Sequence, residues 1–590
     1  MMSLMICKLC FVEEAVMDFK SKLELWLGSS LIDEETKSEL TSLVDEKEIE
    51  DRFYKDLEFG TGGLRGVIGA GSNRLNIYTV GKATQGLSDY LNNKYSRPSV
   101  AIAYDSRNMS KEFAEYAART FCGNNIKTYL FETLTPTPIL SYAVRALNCS
   151  GGIVITASHN PKQYNGYKVY GEDGGQITDS NAKEILSYIS DVDSFEKIHT
   201  ESVENCKNKG LLEYVGEEIY STYLEKVKNL TIRKDLVAES AKDLKIIYTP
   251  LHGTGNVPVR RVLRELGYDQ VQVVKEQELP DGNFPTAPYP NPEDPKVFKL
   301  ALEMAKEFKP DIILGTDPDC DRIGAVIQEN NGEYKVLTGN QVGALISHYI
   351  ITSLKEKDQL PEDGVIIKTI VSTDMIKPIG EKYGVEIKEV LTGFKYIGEL
   401  INEFEENNSN SFLFGFEESY GYLSGDFVRD KDAVIAAMLL CEMTLYYKSK
   451  GKTLYEALMD LYSEYGFYKE TLISLELKGK EGQEKIASII DYLRNTDISN
   501  IENFKVIKKL DYKLSIERDL RTGDEDEINL PKSNVLKFML DDGSWFVIRP
   551  SGTEPKMKVY IATTGSTLEN TEEKIKAIEK SVVEIIDKLK

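Results

Sequence analysis

The sequence predicts an α/β protein assembled from three similar α/β units and a fourth, α+β unit. Three observations predict it. From about residue 60, short apolar runs bounded by Gly, Pro or Asp alternate with helical patterns, which is the pattern of βαβ units. Three of these runs end in an unusually polar loop, IVITASHNP (153–161), IILGTDPDCDR (312–322) and LFGFEESYG (413–421), which hints at a repeated unit. The C-terminal stretch differs, reading as a hairpin-like strand pair followed by a long amphipathic helix.

The elements follow in order. Residues 13–56 are expected to be helical, because Val16, Phe19, Leu23 and Trp26 share one face of a 3.6-residue period. Gly28-Ser29-Ser30 breaks that pattern before a second, acidic helical stretch. The expected strands are Val100–Tyr104, Ile153–Ile155, Ile246–Tyr248, Val271–Val274, Ile312–Leu314, Val365–Ile367 and Phe412–Phe414, mainly parallel, with ligands beyond their carboxyl ends. Asp542-Gly543 is the turn candidate of the C-terminal hairpin. The final helix is expected from about Ser566, with Ser566 and Glu569 fitting a capping box.

Length and composition bound the function. The 590 residues suggest roughly four domains, and 41% hydrophobic with 28% charged residues is a globular mixture. The 72 Lys and Arg against 95 Asp and Glu leave a net charge of −23, a field that disfavours nucleic acid and anionic membranes as partners. Seven scattered Cys read as reduced thiols rather than a disulfide framework. Cys7 and Cys10 form a C-x-x-C, but no second pair or nearby His completes a zinc site. The apolar start is interrupted by Lys8 and carries no cleavage-site pattern. The uncharged stretch Val336–Leu354 is too polar to span a bilayer. A soluble, cytoplasmic protein is expected.

The polar loops carry the chemistry. In DPDCDR, Asp317, Asp319 and Asp321 alternate, so an extended backbone places three carboxylates on one side, a hard oxygen set suited to Mg²⁺. An EF-hand is excluded by Arg322 at position six and Gln328 at position twelve. An aspartyl-phosphate nucleophile at Asp317 competes, but Asp321 completes a cage more readily than it serves a nucleophile. A solvated acidic turn is the remaining alternative. In TASHNP, Ser158 and His159 are neighbours on an extended loop and are expected to point apart, and no G-x-S-x-G elbow occurs in the chain. An Asn-Pro turn with a capping Ser is the alternative there. The metal loop elsewhere makes Ser158 a candidate phosphoryl carrier.

In RPSGTEPK, Arg549 offers a forked cation, Ser551 and Thr553 offer hydroxyls, and Gly552 lets backbone N–H groups close on an anion. The segment reads as a phosphate cradle or else as a surface turn. Glu417 and Ser419 in GFEESYG offer hydrogen bonds to polyols, whereas a glycosidase pair is disfavoured because chain neighbours diverge. FGTGGLRG fits neither the dinucleotide nor the Walker pattern, leaving a loop with one cation, Arg65. Lys168 in YNGYK and Lys395 in LTGFK are further candidate cations, or else surface lysines.

TASHNP, DPDCDR, GFEESYG and RPSGTEPK, in this order, resemble the α-D-phosphohexomutase superfamily over roughly residues 50–565. LEFGTGGLRG and the chain length look like its phosphoglucomutase/phosphopentomutase branch. The resemblance implies three similar α/β (mixed-sheet) domains and a C-terminal α+β TATA-binding-protein-like domain around a central cleft. A helical extension at 1–50 would precede domain I at 51–230 with the phosphoserine loop and domain II at 231–338 with the metal loop. Domain III at 339–470 would carry the sugar loop, and domain IV at 471–590 the phosphate loop.

By the same resemblance Ser158 is the phosphoserine, and Asp317, Asp319 and Asp321 hold Mg²⁺ together with an oxygen on Ser158. Arg65, Lys168 and Arg322 are the catalytic cations, Lys168 being the acid/base group. Glu417 and Ser419 grip sugar hydroxyls. Arg549, Ser551, Gly552, Thr553 and Lys556 take the non-reacting phosphate, and His159, Thr392, Gly393 and Lys395 also face substrate. The implied activity is that of an isomerase, an intramolecular phosphotransferase interconverting α-D-glucose 1-phosphate and glucose 6-phosphate. Glucose 1,6-bisphosphate would be its intermediate and activator.

Phosphopentomutase or phosphomannomutase activity, a phosphatase with an aspartyl nucleophile, and a non-catalytic sugar-phosphate sensor are the alternatives. The loop Thr392–Lys395 departs from relatives with His or Trp there, leaving the sugar preference open. Given the net charge of −23, Arg65, Lys168, Arg322, Lys395, Arg549 and Lys556 are expected to line a local positive cleft.

Overall fold

The computed structural model describes residues 18–60, 62–477, 479–550 and 556–589. The Cys7–Cys10 motif and Ser551, Gly552 and Thr553 lie outside the described residues. Every apolar run read as a strand is one, and three mixed sheets result. The first runs in the order Phe59–Gly60, Gly63–Val67, Tyr164–Gly171, Gly151–Ile155, Ser99–Tyr104, Lys127–Phe131, Leu212–Val215. The second orders Tyr334–Val336, Ile323–Gln328, Ile312–Thr316, Ile246–Thr249, Val271–Val273, and the third Glu386–Val390, Gly364–Thr369, Ser411–Glu417, Gly421–Leu423.

One device recurs in all three. A buried strand with parallel neighbours on one side ends in a polar loop, and the chain returns antiparallel to it. Gly151–Ile155 returns as Tyr164–Gly171, Ile312–Thr316 as Ile323–Gln328, and Ser411–Glu417 as Gly421–Leu423. Such strands are mostly apolar because both faces of the sheet are covered. Each connecting loop holds a non-glycine residue with a left-handed backbone, Ser158 (φ 52°), Cys320 (φ 55°) and Tyr420 (φ 65°), where a Cβ is disfavoured.

The sheets are joined by one apolar core that includes Phe131, Tyr223, Ile246, Leu263, Ile366 and Leu440. The helices Phe19–Gly28, Glu34–Thr41 and Glu46–Phe53 pack on the first unit. Their Trp26 sits edge-on to Phe53, Tyr78 and Phe195 at 5.7, 5.5 and 5.4 Å. The fourth unit is an antiparallel sheet whose long strands Phe467–Glu476 and Lys556–Gly565 pair along their length. The helices Gly479–Asn495 and Leu568–Leu589 belong to the same unit, and its core includes Ile489, Leu536, Val559 and Ile578. The Asp542-Gly543 turn forms as expected, with Gly543 at φ 87° joining paired strands.

The final helix begins at Leu568, not Ser566. Thr567, not Ser566, accepts the Asn570 N–H at 3.1 Å. Adjacent hydroxyl residues make such a one-residue shift hard to read from sequence. Among the described residues, no helix is long and apolar enough to cross a membrane.

Candidate active site

The three loops meet. Ser158 Oγ donates to Asp317 Oδ2 at 2.8 Å and lies 3.1 Å from His159 Nδ1. The expectation that His159 points away from Ser158 is therefore wrong. It assumed an extended loop, whereas the left-handed turn at Ser158 brings both side chains to one side. Burial, with Arg322 and Arg65 alongside, pushes the His159 imidazole well below its usual range and keeps it neutral. Tyr289 stands edge-on to it at 5.8 Å.

The metal loop also departs from the expected geometry while keeping its outcome. It is a turn rather than an extended segment: Cys320 N–H reaches Asp317 O at 3.0 Å. Asp317 Oδ1 accepts the Asp321 and Arg322 N–H groups at 3.1 and 3.0 Å. Even so, one oxygen each of Asp317, Asp319 and Asp321 fall within 4.8 Å of one another, all buried. Burial and the repulsion of Asp319 and Asp321 push the Asp317 carboxyl well up. Burial acts the same way on Asp321, but Lys168, Lys431 and Arg322 outweigh it and hold that carboxyl low.

Buried carboxylate oxygens normally find donors, yet Asp319 Oδ1 and Asp321 Oδ1 have no hydrogen-bond partner. Three clustered buried carboxylates that leave two oxygens unsatisfied fit a divalent cation. Gly253 is needed beneath this loop, because a Cβ there would lie 2.5 Å from Pro318 Cα.

Cations surround the cluster. Lys168 Nζ lies 2.9 Å from Asp319 and 3.1 Å from Asp321, and Arg322 pairs with Glu293 at 2.8 Å. Arg65, at the rim, has Nη1 3.5 Å from Asn160 Oδ1. Lys431, which the sequence reading missed, lies 3.3 Å from Asp321, and Phe394 of the Thr392–Lys395 loop stands 5.5 Å from its Nζ. Its motif, RDKD, reads as an ordinary charged turn, so nothing in it announced this role. Lys395 itself is held by Asp179 at 2.6 Å, at the contact between the first and third units.

Glu417 is buried at the end of its strand and acts electrostatically on Arg322 and Lys431. The adjacent Glu418 diverges from it, accepting from Thr369 Oγ1 at 3.0 Å. Burial and the charge of Glu417 push the Glu418 carboxyl up to about 7. The third loop is stitched to the second by the Ile323 N–H to Tyr420 O bond at 3.1 Å. Arg549 is the penultimate residue of the strand Trp545–Pro550 and faces Lys558 across the sheet, two residues along the partner strand from Lys556.

Arg107 is the other residue the sequence reading missed. It donates to the carbonyls of Ser158, Asn160, Pro161 and Tyr164. A strand-following YDSR offers no signal for a partner that is backbone some fifty residues away, the span between Arg107 and Ser158 being 51.

Comparison with known proteins assigns all four units to one family. Phosphoglucomutase/phosphomannomutase α/β/α domains I, II and III match residues 56–196, 221–332 and 338–465, and the C-terminal domain of the same family matches 495–578. A phosphoglucomutase of Staphylococcus haemolyticus is 38% identical over 526 residues, covering 89% of this chain and 94% of its own. One from Staphylococcus aureus is 38% identical over 536 residues, covering 90% and 94%. The fold is that of the open form of pp63/parafusin, a phosphoglucomutase from Paramecium (TM-score 0.65, 18% identity, 90% of this chain and 95% of that one). The resemblance carried by the four loop motifs is thus matched domain by domain, and the chain belongs to the phosphoglucomutase/phosphomannomutase family.

Proposed function

We propose that the protein is a phosphoglucomutase that interconverts glucose 1-phosphate and glucose 6-phosphate through phospho-Ser158 and glucose 1,6-bisphosphate. The observation that carries this reading is Ser158 Oγ, 2.8 Å from one carboxylate of a buried three-aspartate cluster. Curated relatives at 36–38% identity bearing that name support it. Asp317, Asp319 and Asp321, with an oxygen on Ser158, are the residues that would hold Mg²⁺. When bound, the ion supplies stabilisation for charge on the transferring phosphoryl oxygens, usually the dominant contribution in such chemistry.

The protein's own groups do the rest. With the Ser158 hydroxyl donating to Asp317, neutral His159 is left to donate from Nδ1 to Ser158 Oγ, fixing its direction. Lys168, beside Asp319 and Asp321, is the acid/base group at the reacting hydroxyl. Arg65 and Arg322 spread positive potential over the transferring group. Glu417 and Ser419 take sugar hydroxyls, with Thr392, Gly393 and Lys395 beside them. Arg549 and Lys556, with Ser551, Gly552 and Thr553, grip the phosphate that is not reacting. Two phosphate environments in different domains are what a mutase needs, because the bisphosphate must present each end to Ser158 in turn.

Asp317 is poorly free to act as a nucleophile, since both of its oxygens already accept hydrogen bonds. The described cysteines Cys122, Cys149, Cys206, Cys320 and Cys441 are all free and buried, which supports a reducing, cytoplasmic setting.

Phosphopeptide mapping after incubation with glucose 1,6-bisphosphate tests the mechanism. An acid-stable phosphate on Ser158 is expected, and Ser158→Ala should lose at least ~10³-fold in kcat. A hydroxylamine-labile phosphate on Asp317, or near wild-type turnover in Ser158→Ala, would reject it. Turnover on glucose, mannose and ribose 1-phosphates then settles the sugar.

A further inference from the structure

The nucleophile loop is gripped by a side chain that no substrate can reach. Arg107 follows the strand Ser99–Tyr104, and its side chain is wholly buried. Nη1 donates to Pro161 O at 3.0 Å and Tyr164 O at 3.1 Å, and Nη2 donates to the Ser158 and Asn160 carbonyls. Only a guanidinium offers so many donors in one plane. The Phe284 ring, from the second unit, lies 5.0 Å from the guanidinium carbon. That loop is pressed close, since a Cβ on Gly282 would come within 2.5 Å of Asn108 N.

Asp105, whose Oδ2 lies 3.3 Å from Arg107 Nε, holds the same loop through Thr156. It accepts from Thr156 Oγ1 at 2.7 Å, and Thr156 Oγ1 in turn accepts the Ser158 N–H at 2.7 Å. The N–H and the C=O of Ser158 are therefore both fixed, one through Asp105 and Thr156, the other by Arg107. Between them the backbone stands at φ 52°, a left-handed conformation disfavoured for a residue with a Cβ. Returning φ to the extended region would swing Oγ away from Asp317.

We propose that Arg107 is a positioning residue for phosphoryl transfer, holding Ser158 in the left-handed backbone that aims its Oγ at the metal loop. The inference rests on the reading of Ser158 as phosphoryl carrier. Cradle and sugar-gripping residues lie elsewhere, so loss of Arg107 should act on kcat and spare KM.

The test follows the growth of phospho-Ser158 by quenched mass spectrometry after mixing dephosphorylated full-length protein with glucose 1,6-bisphosphate and Mg²⁺, alongside steady-state kcat and KM. R107M and R107Q should label Ser158 ~100-fold more slowly, with a matching fall in kcat and KM within ~threefold, as expected for a misplaced reacting atom. R107K, which keeps the charge and some donors, should recover ~tenfold of that loss. F284L, outside the gripped loop, should slow labelling ~fivefold through the loosened guanidinium and serves where R107M does not fold. Wild-type labelling rates in R107M or F284L would overturn the proposal, as would a kcat that falls only in step with the folded fraction. Wild-type protein that takes no phosphate at Ser158 would overturn the phosphoserine reading, and this inference with it.

Discussion

Domains I to III are joined by an apolar core, with Tyr142 and Tyr223 of the first, Leu263 and Ile312 of the second and Ile366 and Leu440 of the third in a single cluster, while the first and second hold further clusters of their own. Domain IV keeps its own core around Ile490, Phe538 and Ile561. It meets the rest over a small apolar patch that includes Ile370, Leu391, Trp545 and Tyr560, beside a buried charged network. There Lys368 pairs with Asp374 at 3.0 Å and Glu389 at 2.8 Å, and Trp545 Nε1 donates to Asp374 at 2.9 Å. Lys537 reaches Ile370 O at 2.8 Å. Ser158 sits where the loops of three separate sheets meet above that shared core. The segment read as a phosphate cradle starts from the domain attached through a smaller apolar patch and polar contacts, which can re-form after a displacement more readily than a larger shared core.

The largest effect should come from breaking the fused part at its charged centre. Asp319→Asn removes one carboxylate from the cluster and weakens the partner of Lys168. Activity should fall by ~10²–10³-fold, and Mg²⁺ should raise the Tm of the wild type but not that of the variant. Retention of that rise together with activity within tenfold of wild type would show that the cluster does not bind the ion.

A smaller effect separates the two regions directly. Leu345 lies in the shared core and Ile578 in that of domain IV, both fully buried. Truncation of either to Ala should cost ~2–5 kcal/mol. In calorimetry Leu345→Ala should lower the transition of domains I to III, while Ile578→Ala lowers that of domain IV alone. If both variants shift a single common transition equally, the two regions unfold as one and the contrast drawn above fails.

The sequence made the strands and the chemistry of the loops legible, because buried parallel strands are continuous apolar runs and Asp317, Asp319 and Asp321 announce themselves by type. Backbone shape was not legible. Ser158, Cys320 and Tyr420 adopt left-handed conformations that leave no mark in residue type, and assuming extended loops there misplaced His159. Arg107 was invisible because its partners are carbonyls, and Lys431 because Asp321 is distant in sequence. The joint between domains III and IV was equally hidden: Lys368, Asp374 and Lys537 look like surface charges until the fold buries them.

That joint supplies the smallest and most specific prediction. Glu470 lies on the strand Phe467–Glu476, which the boundary expected at 470/471 would divide but which pairs along its whole length in the sheet of domain IV; it interacts with Thr373 and Asn340 of domain III, and its Oε1 is buried with no hydrogen-bond partner. Burial, reinforced by the charge of Asp374, pushes its carboxyl up to about 7. The folded protein thus favours the protonated form. The resulting stabilisation is complete below the unfolded value of about 4.5 and is lost as pH rises through about 7. Gln mimics the protonated group at every pH. Glu470→Gln should therefore match the wild type near pH 5 and exceed it by about 1–3 kcal/mol at pH 8, read from the urea midpoint of the domain IV transition. Midpoints that run parallel across this range would mean that Glu470 remains ionised at the joint, compensated by Lys368, and that the charged network itself holds domain IV in place.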